Sequence, residues 1–251
     1  TKTKNCSLVL MARYYTRGRN FYYGKKSQIL VKNKKSLPLN GNNEISFDHI
    51  ELISRKSIKK IPINKIFRLS KELKKKVAKD IKKITSKKKN FANLNFQKIP
   101  SIMGVLNLTP DSFSDGGKFN TKTKGLNHAI NLFKDGADLI DIGGESTRPG
   151  SRTVKSNVEW NRIKNVLKKI DKKKIFSLDT RKSNIMEKGI KLGVKIINDV
   201  SGLSYDKNTI HILKKYKTPF VLQHSLGNPD VMQNDPKYKN VLLDIYDFFE
   251  K

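Results

Sequence analysis

Five groups of polar residues punctuate the later part of this 251-residue chain, each just after a short apolar run. They are Asn107 with Asp111, then Glu145 with Thr147 and Arg148, Asp179 with Arg181, Asn198 with Asp199, and Gln223 with His224. Amides and hydroxyls both donate and accept hydrogen bonds, carboxylates accept, and guanidinium groups pair with anions, so the set suits a polar, anionic molecule. Gly143-Gly144 and Gly150 lie among them, where bare backbone can approach a ligand closely. No cluster has zinc or calcium spacing, and there is no phosphate-binding P-loop or dinucleotide fingerprint. Plainer uses exist. Asp179 could cap a helix opening at Ser183 and Asn198 could hold a turn; for each, the structural and functional readings stand level. Asp141 lies inside an apolar run, needs a hydrogen bond there, and reads as a core support. His128 reads as a surface residue of a helix.

The elements that must position these groups alternate. Apolar runs at Ser101–Leu108, Asp138–Ile142, Ile175–Leu178, Val194–Ile197 and Pro219–Leu222 predict strands. Leu126, Ala129, Ile130 and Phe133 mark a helix that stops near Gly136. The next helix opens on a capping box, Ser156 to Glu159, and buries Ile163, Val166, Leu167 and Ile170. Further helices are expected around Ile185–Lys191, Asn208–Tyr216 and Tyr238–Phe249. Unbroken strand–helix alternation predicts an α/β fold with a parallel sheet or barrel. In a β/α barrel all strands end on one face, where active sites are built. The helix starts beyond the loops add free N–H groups suited to phosphate. The residues alone thus predict a barrel enzyme with an anionic, hydrogen-bonding substrate.

Residues 1–97 read as a smaller α+β region ahead of a domain over 98–251. Ser7–Tyr15 and Glu44–Ser54 are strand candidates, with turn chemistry at Leu37–Asn43 between them. Ile66, Leu69, Leu73, Val77, Ile81 and Ile84 share one helical face opposite lysines, and Ser86–Asn95 reads as a polar linker. The net charge is +31, of which residues 1–100 carry +22. Lys accounts for nearly all of it, with only nine Arg in the chain, so compositional bias is preferred to nucleic-acid binding. The basic helix lacks the aromatic face of a membrane anchor. No apolar run approaches the ~20 residues that span a bilayer, and one cysteine, Cys6, excludes an internal disulfide framework. A cytoplasmic location is expected.

The segment Gly104-Val105-Leu106-Asn107-Leu108-Thr109-Pro110-Asp111-Ser112-Phe113-Ser114-Asp115-Gly116-Gly117 resembles the first signature of the dihydropteroate synthase family. Asp141-Ile142-Gly143-Gly144-Glu145-Ser146-Thr147-Arg148-Pro149-Gly150 is similar to its second, and Ser177–Lys182 and Ile197–Gly202 to later ones, in order. The resemblance runs from about Ile99 to Lys251, and more weakly over an N-terminal extension from Ala12 to Ile84. It implies a TIM (β/α)8-type barrel and a transferase of folate biosynthesis. Such an enzyme joins 4-aminobenzoate to 6-hydroxymethyl-7,8-dihydropterin diphosphate. By the same resemblance Asn107 lies beside Mg²⁺, Thr147 binds the diphosphate, and Asp179 and Asn198 hold the pterin edge. Asp115 and Arg148 close over the site as catalytic residues. Members are commonly homodimers.

Two departures stand out. Where the family has His-Met-x-Gly, this chain has His224-Ser225-Leu226-Gly227. A full barrel takes about 250 residues, whereas residues 101–251 hold five βα units at roughly 30 residues each. The family's sixth-strand Asp-Pro-Gly, seventh-strand Lys and final Arg-x-His do not occur, and the chain starts at Thr1. A fragment of a longer protein is therefore expected, aggregation-prone by itself because open strand edges would face water. The competing readings are a truncated barrel acting as a basic nucleic-acid or membrane-surface module, and a pterin-binding methyltransferase domain. The Thr109–Asp115 loop argues against the latter.

Overall fold

The computed structural model describes residues 13–94, 101–109, 123–146, 151–225 and 237–250. The chain forms two compact units, one of residues up to Lys89 together with those from Tyr238, the other of Asn90–Lys237.

The first unit is built on an antiparallel sheet. Strand β3 (Asn42–Ile53) pairs with β1 (Tyr15–Tyr23), β2 (Leu37–Leu39) and β4 (Ile58–Pro62). The stretch expected to be a loop at Leu37–Asn43 is instead the β2–β3 hairpin. Its two-residue turn, Asn40-Gly41, has φ of 52° and 72°, the left-handed pair that a tight hairpin demands. Helix α1 (Gly24–Lys32) follows β1. The expected basic helix is divided into a 3-10 turn at Ile63–Arg68 and α2 (Lys71–Thr85), yet its apolar stripe survives intact. Ile66, Leu69, Leu73, Ile81 and Ile84 pack around buried Phe47, Ile50, Leu52 and Val77.

The helix near the end of the chain, α7 (Val241–Glu250), belongs to this unit and not to the parallel sheet that it follows in sequence. Its buried Leu243, with Leu242 and Tyr246, packs on Tyr15 and Ile53. Arg55 pairs with Asp244 at 2.7 Å and Asp247 at 2.5 Å. Tyr15 donates to Asp247 as well, and burial together with that acceptor pushes its phenol above its ordinary range.

The second unit is an α/β fold with five parallel strands. In chain order they are β5 (Met103–Asn107), β6 (Leu139–Gly143), β7 (Ile175–Asp179), β8 (Ile196–Asp199) and β9 (Phe220–Leu222), and the sheet order is the same. Helices α3 (Lys124–Lys134), α4 (Ser156–Lys169), α5 (Ser183–Lys191) and α6 (Thr209–Tyr216) lie between successive strands in sequence. Alternate strand residues Leu106, Ile140, Ile142, Phe176, Leu178 and Ile197 face the helices and are buried against Ala129, Ile163, Leu167, Ile185 and Met186. The other face starts, at the amino ends of the strands, with Leu139, Ile175 and Ile196, which Phe91, Ala92 and Leu94 cover. The expected polar linker is thus partly a plug. Further along that face Met103 and Val105 on β5 and Val221 on β9 are exposed.

Close packing between α5 and β7 leaves no room for a side chain at Gly189. A Cβ there would lie 2.4 Å from Leu178 Cδ2, and Leu178 is wholly buried. Gly189→Ala is expected to cost about 1–3 kcal/mol by overpacking, measured as a lower urea midpoint with an unchanged m-value.

Candidate functional site

The strand register sets four residues side by side at the carboxyl edge of the sheet. Asn107 of β5 is opposite Gly143 of β6, Gly143 opposite Asp179 of β7, and Asp179 opposite Asn198 of β8. Because side chains alternate along a strand, all four share the face turned away from the helices. Gly143 keeps a gap in this row. A Cβ at that position would sit 3.3 Å from Asn107 Oδ1 and 3.6 Å from Asp179 Oδ2. Asn107 is exposed, and Asp179 and Asn198 are partly buried.

One layer deeper lie Asp141 and Ser177, opposite one another on β6 and β7 and both buried. Asn198 Nδ2 donates to Asp141 Oδ2 at 2.9 Å. Asp141 Oδ1, Ser177 Oγ and Asp179 Oδ1 are buried atoms without a hydrogen-bond partner. Burial raises the Asp141 carboxyl above its ordinary value, with Ser177 and Asn198 acting against the rise. Asp179 is raised much further, by burial first and then by the negative charges of Asp141, Glu159, Asp199 and Glu145. Two carboxyls with raised values and three unpaired buried oxygens, set together at one edge of the sheet, mark a candidate binding site.

Beside the row is a buried ion network. Glu145 accepts from Arg181 at 2.7 Å and from Lys182 Nζ, and Lys182 also reaches Glu159 Oε2 at 2.5 Å. Thr180 donates to the second oxygen of Glu159, which is fully buried. Arg181 also donates to Thr153 and lies 4.2 Å over the Tyr205 ring. Burial alone would raise the Glu145 carboxyl, but Lys182 and Arg181 outweigh it and hold it below its ordinary value.

Several expectations change accordingly. The capping box at Ser156 does not form: the α4 N-cap is Lys155, and Glu159 turns inward to Thr180 and Lys182. Buried cations outcompete a surface cap for the carboxylate. Asp179 does not cap α5; the Ser183 N–H donates to Asp206 at 2.8 Å. Glu145 spends its charge on Arg181 and on Lys182, the latter overlooked in the sequence reading. Asp199 shares a strand end with Asn198 but is one residue on, so it faces the helices and accepts from the Ser201 N–H and hydroxyl. Asp111, Asp115, Thr147, Arg148 and Gly150 lie outside the described residues. Among the described residues no three His, Cys, Asp or Glu side chains gather as a metal cage, and no helix is long and apolar enough to cross a membrane.

Known proteins are similar to this chain in sequence and fold. The dihydropteroate synthase of Neisseria meningitidis serogroup B is 45% identical over 150 residues, covering 58% of this chain and 52% of that protein. Among solved structures, the dihydropteroate synthase of Clostridium difficile in the presence of pteroic acid matches with a TM-score of 0.56 and 41% identity, over 62% of this chain and 58% of that one. The Xanthomonas albilineans enzyme with 4-aminobenzoic acid matches at 0.54 and 35%, over 60% and 54%. The chain spans about half the length of the curated relatives it matches. The sequence pattern of the family described as pterin binding enzyme covers residues 103–251, well over half of the chain, and with the strand-end row at the place where such folds bind their ligands, the chain belongs to the pterin binding enzyme family.

Proposed function

We propose that this chain carries the pterin and diphosphate side of a dihydropteroate synthase site. In that reaction the bond between the pterin methylene and the diphosphate oxygen breaks, and its electron pair leaves on diphosphate. The amine of 4-aminobenzoate forms the new C–N bond and loses one proton, giving 7,8-dihydropteroate. The observation that carries the reading is the row of Asn107, Gly143, Asp179 and Asn198 across the carboxyl ends of four parallel strands. Asp179 and Asn198 offer fixed polar partners to the edge of a flat heterocycle. Gly143 leaves the space between Asn107 and Asp179 open to it.

A divalent ion fits the same edge. Mg²⁺ prefers oxygen ligands and is commonly held by few protein groups together with phosphate oxygens and water. The exposed amide oxygen of Asn107 is one such ligand. Bound there, the ion would neutralise charge on the departing diphosphate. On this reading Thr147 binds the diphosphate, and Asp115 and Arg148 close over the site and exclude water. The five strands are then the first five of an eight-stranded (β/α)8 barrel, residues 1–97 a separate N-terminal region, and the protein a cytoplasmic enzyme able to form a homodimer.

Titration of the chain with 6-hydroxymethylpterin diphosphate in Mg²⁺ tests this. Saturable binding is expected, weakened at least tenfold in Gly143→Val, whose branched side chain fills the gap. Absence of saturable binding to the wild-type chain would sink the reading.

A further inference from the structure

Asp141 has no place in the reaction just described, yet it is held at a cost. It is 6% exposed, inside the sheet, with one oxygen bonded and the other without a partner. A buried acceptor left unpaired is destabilising, and support of the core alone would be met better by an apolar residue of similar size. Ser177 lies beside it, and the hydrogen bond of good geometry goes to a residue of the strand-end row. Asn198 Nδ2 lies 2.9 Å from Asp141 Oδ2. A carboxylate can only accept. The Asn198 amide must therefore turn its nitrogen down towards Asp141, in the deeper layer, and its planar group carries Oδ1 away from Asp141, towards the strand ends. Beside it in register is Asp179, another acceptor, with Oδ1 unpartnered.

We propose that Asp141 is a positioning residue that locks the Asn198 amide, so that Asn198 and Asp179 form a pair of acceptors selecting a heterocycle with an amino group beside a ring N–H. The inference deepens the pterin reading and rests on it. Were Asp141 replaced by a group that cannot accept, the amide could reverse and offer donors, and the site would lose its preference for a donor edge. A site that demands specific hydrogen bonds rejects an analogue lacking them, because its own buried groups are then left unpaired.

The test compares pterin with lumazine, which carries a carbonyl oxygen in place of the 2-amino group, by equilibrium dialysis against the whole chain. The wild type is expected to prefer pterin by at least about tenfold, the equivalent of one lost hydrogen bond. Asp141→Leu should bind pterin about tenfold more weakly and bring the ratio to within about threefold of unity. Asp141→Asn, which keeps an acceptor oxygen for Asn198, should recover most of the preference. A folded Asp141→Leu variant with the wild-type ratio overturns the proposal alone, whereas a wild type that binds neither compound overturns the pterin reading and the proposal with it. Should Asp141→Leu not fold, ¹⁵N NMR of the ligand-free wild type decides. One Asn198 amide proton should be protected from exchange relative to its partner; equal exchange of the two overturns the lock.

Discussion

Asp179→Asn is expected to give a chain that, at a pH above the raised Asp179 value, melts several degrees higher than wild type and binds a pterin at least a hundredfold more weakly. The Asp179 carboxyl is buried among the charges of Asp141, Glu159, Asp199 and Glu145, which raise its proton affinity well above the usual range. A group whose folded value is raised contributes stability that is full below the unfolded value and lost as pH rises through the folded one. Above that folded value the wild type has lost the contribution and carries a buried, uncompensated charge, and removing the charge should restore about 1–3 kcal/mol there. For a chain of this size that is roughly 2–4 °C per kcal/mol. Below about pH 4, the ordinary carboxylate range, the two proteins should converge. Binding runs the other way. Donors on a ligand favour the ionised carboxylate, so wild-type affinity should fall as pH is lowered through the raised value. The Asn variant should lose that pH dependence together with two charge-assisted bonds at about 1.5–3 kcal/mol each. Thermal melts and pterin titrations across pH check both halves.

Lys182→Ala should be the most damaging single change in the second unit. Its ammonium is in contact with Glu145 and Glu159 at once, and all three side chains are buried. Breaking a buried pair by removing one partner costs about 3–5 kcal/mol, because a charge is left without compensation. Here two carboxylates are affected, although Arg181 still holds Glu145. A fall in melting temperature of roughly 6–20 °C is expected. Pairing Lys182→Met with Glu159→Gln removes a charge of each sign and should recover a good part of the loss, so a double-mutant cycle would show strong coupling. Additive effects would mean that the network contributes little.

What could be read from the chain beforehand follows from which forces are local. Apolar runs and turn residues placed the five parallel strands within a few residues, since period and punctuation are local signals. Asn107, Asp179 and Asn198 were legible because each directly ends such a run. That they line up in one row depends on register, which no single segment contains. Asn198 and Asp199 looked equivalent at the same strand end, yet a shift of one residue decides which faces the ligand side. Glu159 looked like a cap because the local pattern is a capping box, but a cation from the next strand end claimed it. The lysine-studded stripe from Ile66 to Ile84 foretold its core contacts while missing the break near Leu69 and Ser70. Helix α7 gave its own extent from its apolar spacing. Its attachment to Tyr15, Ile53 and Arg55 is a long-range matter of shape and charge, invisible to periodicity.

A residue-resolved titration shows whether the strand-end row binds the pterin. Amide chemical shifts of the ¹⁵N-labelled chain would be followed during titration with 6-hydroxymethylpterin. Saturable shifts are expected at Asn107, Gly143, Asp179 and Asn198, with residues of the antiparallel unit unmoved. Shifts confined to the lysine-rich face of α2, or saturable binding that leaves the strand-end row untouched, would contradict it.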